Sequence, residues 1–218
     1  MAPRSDPSAA ERVAEQLRRE LLNGELTPGQ RIREEELCAR LGCGRYTVRA
    51  AISSLVDSRL LVHERHRGAM VPELTRERID EVFGYRAALE LGSLRLALER
   101  RDDFRAVDDA VEALAALPPD VEWLQLTEAH ARIHAEIVHA SGNSRLISAY
   151  DNCQDELNLL FVALRPDFTV ERFAALHREL VAQLRIGGET ALLALRHDME
   201  GDGYRALLAA LGTGDGRR

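Results

Sequence analysis

Glycine and proline cut the N-terminal part of the chain into pieces too short to fold alone, and their spacing constrains the fold more than any other feature. Residues 9–23, AAERVAEQLRRELLN, place Val13, Leu17 and Leu21 at helical spacing before Gly24 stops the helix. GELTPGQRI follows as a turn broken at Pro28-Gly29. REEELCARL predicts a second helix that ends at Gly42. After GCG a third runs from about Arg45 to Ser58, with Val48, Ile52, Leu55 and Val56 on its apolar side. LLVHERHRGAMVP then supplies two short β-prone runs joined by HRG, which read as a two-stranded wing. Two short helices joined through a glycine-containing turn form a helix-turn-helix, whose second helix enters the DNA major groove.

The net charge of −7, taken whole, argues against nucleic-acid binding. Its distribution argues the other way. Residues 1–74 carry 12 Arg against 11 acids, whereas the remainder carries 17 Arg against 25. Within 37–68 there are six Arg against only Asp57 and Glu64, with His63 and His66 beside them. A local basic patch attached to an acidic domain is what a DNA-reading module joined to something else shows; the competing reading is a solvated arginine-rich face. Every basic side chain other than histidine is arginine, and no lysine occurs.

At 45% hydrophobic and 30% charged residues, the composition excludes wholesale disorder. No apolar run approaches the roughly 18 residues needed to cross a bilayer. The start, MAPRSDPSAAERV, lacks the apolar core of a secretory signal. Cys38, Cys43 and Cys153 are too few and too scattered for a disulfide framework, which places the chain in a reducing cytoplasm.

Residues 11–72 resemble the winged helix-turn-helix of the GntR family of bacterial repressors. The resemblance rests on the GELTPGQRI turn, the LCARLGCGRYTVRAAISSL helix pair and the RG of the wing tip. It implies that Arg45 and Arg49, at the start of the recognition helix, contact base edges and phosphates. It also implies that His66, Arg67 and Gly68 form a wing tip reaching into the minor groove. Physical chemistry agrees, since arginine grips guanine bidentately and residues four apart share a helix face. Where the family usually has a serine before the first arginine and a threonine-proline pair after it, this chain has Gly44, Tyr46 and Thr47. Tyr46 and Thr47 fall in the implied DNA interface, Tyr46 being either a phosphate contact or a surface residue. Glu35 replaces an arginine common in the preceding helix and would repel phosphate.

Beyond Pro72 strand signals stop. Thr75 can cap a helix to about Arg101. Further helices are expected over 103–117, 120–140, 143–165, 169–186 and 189–211, bounded by Pro118-Pro119, Ser141-Gly142, Pro166 and Gly187-Gly188. The GTGDGRR tail reads as frayed. Six helices with short connections make an antiparallel bundle. The expected fold is therefore mainly α: a winged helix-turn-helix over 1–74 and an all-α antiparallel helical bundle over 75–218.

The second half resembles the FCD effector-binding domain of the FadR branch of that family, through YRAALE at 85–90, HARIHAEIVHASGN at 130–143, LHREL at 176–180 and ALRHDMEG at 194–201. Many such domains hold a divalent metal with an Asp-x-x-x-His pair and two later histidines, and the metal or the pocket beside it receives a small carboxylate effector. Here the pair reads His130-x-x-x-His134, and two imidazoles four apart on a helix can share one ion. His177 fits the third ligand place. Asp198 or His197 fits the fourth, with Asp198 at the matching position. Aspartate and histidine would then have exchanged places, leaving three histidines and a carboxylate, a set suited to zinc or a similar ion. The alternative is a metal-free cavity whose histidines bind an anion directly.

Arg86 matches an arginine usual in the family and is suited to clamp an effector carboxylate; its other reading is a surface ion pair with Glu90. Asn143 fits both a helix N-cap and an effector-pocket residue. Trp123 and Cys153 read as core, and Cys38 and Cys43 as packing positions. The reading implied as a whole is a non-enzymatic, ligand-responsive repressor. It would act as a homodimer on a two-fold-symmetric operator and respond to a small organic acid. Two alternatives remain at this level: a metal-dependent hydrolase or lyase on the bundle, and a DNA-binding regulator with a degenerate, metal-free pocket.

Overall fold

The computed structural model describes residues 6–165 and 168–214, and the chain folds as two compact units, Met1–Glu73 and Leu74–Arg218. The expected tail from Gly212 falls largely outside the described residues.

The first unit is a winged helix-turn-helix. Helix α1 (Ala9–Leu22) begins at Ser8, which forms a reciprocal capping box with Glu11. It buries Val13, Leu17, Leu21 and Leu22 against α3 (Arg45–Asp57), which contributes Val48, Ala51, Ile52 and Leu55. Between them α2 (Glu34–Leu41) ends at Gly42, whose φ of 61° is left-handed, so the chain reverses there without a Cβ clash. Glu20 is buried on α1 and is gripped bidentately by Arg40 of α2 at 2.8 and 2.7 Å.

The wing is β1 (Val62–Glu64) antiparallel to β2 (Gly68–Met70), with Val62 opposite Met70 and Glu64 opposite Gly68. His66 and Gly68 both take positive φ at its tip, 68° and 82°. The Pro28-Gly29 turn is fastened to the wing by the backbone: Gly29 N–H donates to Val71, Val71 N–H to Gln30, and Ile32 N–H to Ala69, at 2.9, 2.9 and 2.8 Å.

The second unit is entirely helical among the described residues. It runs through α4 (Arg76–Glu99), α5 (Arg105–Ala115), α6 (Trp123–Ala140), α7 (Ser144–Asp151), α8 (Gln154–Phe161), α9 (Val170–Ile186), α10 (Gly188–Met199) and α11 (Asp202–Gly214). A short 3-10 turn, Val162–Leu164, continues α8. Helix α6 packs on α4 and α5, α9 packs on α5 and α10, and α10 also packs on α4.

Two of the six expected helices are each broken in two. At residues 152–153 the chain tightens: both the N–H and the Sγ of Cys153 bond to the Tyr150 carbonyl, at 3.0 and 3.1 Å, in place of helical continuation. The break turns Tyr150 inward from α7 while α8 presents Leu157, Leu160 and Phe161 to the core. The second break is at Gly201, where a Cβ would lie 2.7 Å from the His197 carbonyl oxygen and 3.1 Å from that of Asp198. Only glycine admits that approach of backbone to backbone.

Candidate metal centre and nucleic-acid interface

In the first unit, the N-terminal turn of α3 and the wing open onto one hollow of about 510 Å³. Arg45, Arg49, His63, Arg67 and Gly68 line it, together with Glu34, Glu35 and Glu36. Arg45 and Arg49, four apart on α3, are largely solvent-exposed. Both are held by acids of α2: Arg45 bonds Glu35 at 3.0 Å and Arg49 bonds Glu34 at 2.8 Å. Arg67 pairs with Glu64 of the wing at 2.8 Å. Tyr46 is 88% exposed at the start of α3 and Thr47 is half-buried; neither lines the hollow, nor does the exposed His66. Glu35, expected to repel phosphate, is thus paired at the surface with one of the arginines expected to meet DNA. Sequence spacing could not show this pairing, because it joins two helices across a turn.

In the second unit, α4, α6, α9 and α10 bring a polar cluster into an apolar interior. His130 and His134 project from the same face of α6 and meet His177 of α9, so that one ring nitrogen from each lies within 4.8 Å of the others. The Nε2 atoms of His134 and His177 are 3.1 Å apart. Asp198 of α10 reaches the same nitrogens, 3.7 Å from His134 and 3.9 Å from His177. The group whose ligand atoms all converge within 4.8 Å is His130, His134 and His177; Asp198 stands beside two of them, and His197 lines the adjoining cavity. His139 instead faces Glu136 and Asp151, at 3.4 and 4.0 Å.

The buried nitrogens have few other duties. His177 Nδ1 bonds the Phe173 carbonyl at 2.7 Å, which leaves Nε2 for the centre. His130 stacks on Phe173 with centroids 4.5 Å apart, and its buried Nδ1 has no hydrogen-bond partner. Burial pushes the His130 imidazole well below its ordinary pKa, and it pushes His177 down to about 4 against the opposing pull of Asp198. Three imidazoles beside a carboxylate form a donor set that fits a divalent ion such as zinc.

Behind the histidines lies a carboxylate that sequence reasoning assigned only to a surface ion pair. Glu90 is fully buried. Its Oε1 accepts from Arg86 Nε at 2.6 Å and from the Tyr150 hydroxyl at 2.8 Å, and its Oε2 faces His134 Nδ1 at 3.0 Å. Burial alone would raise this carboxyl, but Arg86 and His134 overcome it and hold it at about 2. The Arg86–Glu90 pair is therefore real and lies in the interior. A carboxylate on the far nitrogen of a ligating histidine fixes its tautomer. The only sequence signal for this was the i, i+4 spacing of Arg86 and Glu90, and Tyr150 carried none.

Arg86 keeps one free end. Its Nη2 is buried without a partner, and the side chain lines a cavity of about 560 Å³ together with His130, His177 and Asp198. Asn143 stands elsewhere: its side chain accepts from the Arg145 and Leu146 amides at 3.0 and 3.3 Å, capping α7, and it is not part of the cavity wall.

Residues 9–71 match the family described as bacterial regulatory proteins, gntR family, and residues 81–201 match the FCD domain. The chain is 28% identical over 192 residues to a probable D-xylose utilization operon transcriptional repressor of Paenarthrobacter nicotinovorans, covering 87% of this chain and 85% of that one. It is 26% identical over 147 residues to the transcriptional repressor GlaR of Escherichia coli K12, covering 64% and 66%. Among solved structures, E. coli McbR/YncC superposes with a TM-score of 0.70 at 21% identity, covering 95% of this chain and 99% of that one. A putative GntR regulator from Rhodococcus superposes with a TM-score of 0.66 at 26% identity, covering 94% and 99%. No described helix is long and apolar enough to cross a membrane. Winged helix, histidine centre and these likenesses converge: the chain belongs to the GntR family of transcriptional regulators and carries an FCD domain.

Proposed function

We propose that this regulator is a repressor that binds a short two-fold-symmetric operator as a homodimer and responds to a small organic acid held beside a divalent ion. Arg45 and Arg49 read bases and phosphates, with Tyr46 and Thr47 beside them, while His66, Arg67 and Gly68 reach along the minor groove. Grouping of Arg45, Arg49, Arg67 and Gly68 on one hollow supports that assignment. The repressor sign rests on the relatives from Paenarthrobacter and E. coli, both named as repressors.

The effector reading is carried by one observation: Arg86, whose buried Nη2 has no hydrogen-bond partner, lines the same cavity as His130, His177 and Asp198. His130, His134, His177 and Asp198 would hold the ion, zinc fitting the donor set, and the ion supplies positive charge to an incoming carboxylate. Without it, Arg86 is offset by Glu90 and the floor keeps the charge of Asp198, so an anion is repelled. With it, the floor turns positive and Arg86 Nη2 can donate to the carboxylate. Effector and operator then oppose each other by linkage if they favour different arrangements of the two winged helices in the dimer.

Selection of duplexes by the full chain should return a two-fold-symmetric motif, and Arg45→Ala should weaken binding to it by about 1–3 kcal/mol. Elemental analysis of untagged protein should find about one divalent ion per chain. An asymmetric motif, or undiminished affinity in Arg45→Ala, would remove the dimeric recognition reading. Absence of metal after incubation with excess zinc would remove the metal-assisted effector site.

A further inference from the structure

The walls of the second-unit cavity differ sharply from its floor. Above Arg86, His130, His177 and Asp198 they are built from Phe83, Phe161, Leu164, Phe168, Phe173 and Leu180. At 560 Å³ the space is many times what a two- or three-carbon acid fills, and it lies well within the range of organic-ligand pockets. Two further leucines line it while remaining exposed, Leu176 at 37% and Leu193 at 55%. Exposed leucines on neighbouring helices that border a cavity are unexplained by the core and are suited to cover an apolar ligand.

The remaining polar lining disfavours a second anionic or strongly hydrated group. Arg205, the other arginine of the lining, is paired with Asp202, 3.5 Å away. Glu179 adds negative charge to the lining, while Asp202 is already paired with Arg172 at 3.0 Å as well as with Arg205. A dicarboxylate would place its second charge among aromatic rings or near Glu179, and although Gln183, Thr190, His197 and Tyr204 also line the space, hydroxyls lying along the phenylalanines would find no partner there.

Building on the organic-acid reading above, we infer that the cavity takes a monocarboxylic acid with an apolar tail of several carbons, linear or aryl-alkyl. The carboxylate sits at the Arg86 end and the tail lies along the phenylalanines towards Leu176 and Leu193.

The test is calorimetric titration of the zinc-loaded full chain with acetate, butyrate, hexanoate and phenylacetate, set against lactate and succinate. Affinity is expected to rise about fourfold for each added methylene. Hexanoate and phenylacetate should exceed lactate and succinate by at least about tenfold. Leu193→Asp and Leu176→Asp change exposed positions, so folding is spared; they should weaken hexanoate and leave acetate unchanged. A flat chain-length series, or tighter binding of succinate or lactate, overturns the apolar tail while leaving a carboxylate site in place. If acetate and every longer acid alike fail to bind, or bind equally well to Arg86→Ala, the organic-acid reading itself falls.

Discussion

Replacing Glu90 by glutamine tests whether the buried carboxylate governs the histidine centre. The two oxygens of Glu90 have separate tasks: Oε1 accepts from Arg86 and Tyr150, while Oε2 faces His134 Nδ1. A glutamine can keep its carbonyl on the Arg86 and Tyr150 side, which turns its NH2 towards His134. Nδ1 must then accept, the imidazole proton moves to Nε2, and the nitrogen that faces His177 and Asp198 loses its lone pair. Loss of such an orienting carboxylate costs about 10–100-fold in metal affinity, or roughly 1.4–2.7 kcal/mol. Arg86 is meanwhile left as an uncompensated buried cation, at a stability cost of about 3–5 kcal/mol. Zinc competition against a chromophoric chelator reads the first effect and urea unfolding of the metal-free chain reads the second. Tyr150→Phe is the control: it removes a donor from Oε1 and should leave zinc affinity nearly unchanged. A folded Glu90→Gln protein with undiminished zinc affinity would refute the role given to the tautomer.

Acid should destabilise the metal-free chain. His130 and His177 bind protons less readily folded than unfolded, so unfolding takes up protons. The stability they contribute is complete above about 6.5, the ordinary histidine value, and falls as pH drops towards about 4, with His177 alone accounting for about 3 kcal/mol; an unchanged urea midpoint across that window would contradict their burial as neutral rings. Gly201→Ala forces a Cβ against the His197 and Asp198 carbonyls, and should lower stability by about 1–3 kcal/mol in urea unfolding while loosening zinc through Asp198. Glu35→Gln frees Arg45, and should tighten binding to mixed-sequence DNA by the roughly 0.2–1 kcal/mol of an exposed pair. Fluorescence anisotropy should find that gain at low salt and lose it at high salt; a gain independent of salt would show that charge release is not its source.

Legibility in the sequence followed the range of the interactions. The breakers Gly24, Pro28-Gly29 and Gly42 act locally, and the helix limits they imply lie within a residue or two of α1 and α2. The break at Cys153 escaped because it turns Tyr150 towards Glu90 on another helix, whereas the break at Gly201 is a local backbone approach that a single glycine within a helical pattern does not announce. The same division runs through the site. His130 and His134 could be paired from their spacing, whereas the part played by Glu90 and Tyr150 depends on α4 and α7 packing beside α6. Arg86 fits neither of its two readings alone, since it is both a buried partner of Glu90 and a donor with one free nitrogen.

The glutamates that hold Arg45 and Arg49 also bear on how such a protein finds a site in a genome. Before either arginine meets a phosphate it must leave a carboxylate at 3.0 or 2.8 Å, so random duplex has to compete with a partner already in place. Backbone phosphates offer the same attraction everywhere, and roughly 10⁶–10⁹ non-specific positions would otherwise sequester the protein. An internal competitor lowers that background uniformly. A base pair that accepts an arginine bidentately offers enough to break such a pair where a lone phosphate does not, so random duplex would be held without the arginine contacts that the operator alone gains.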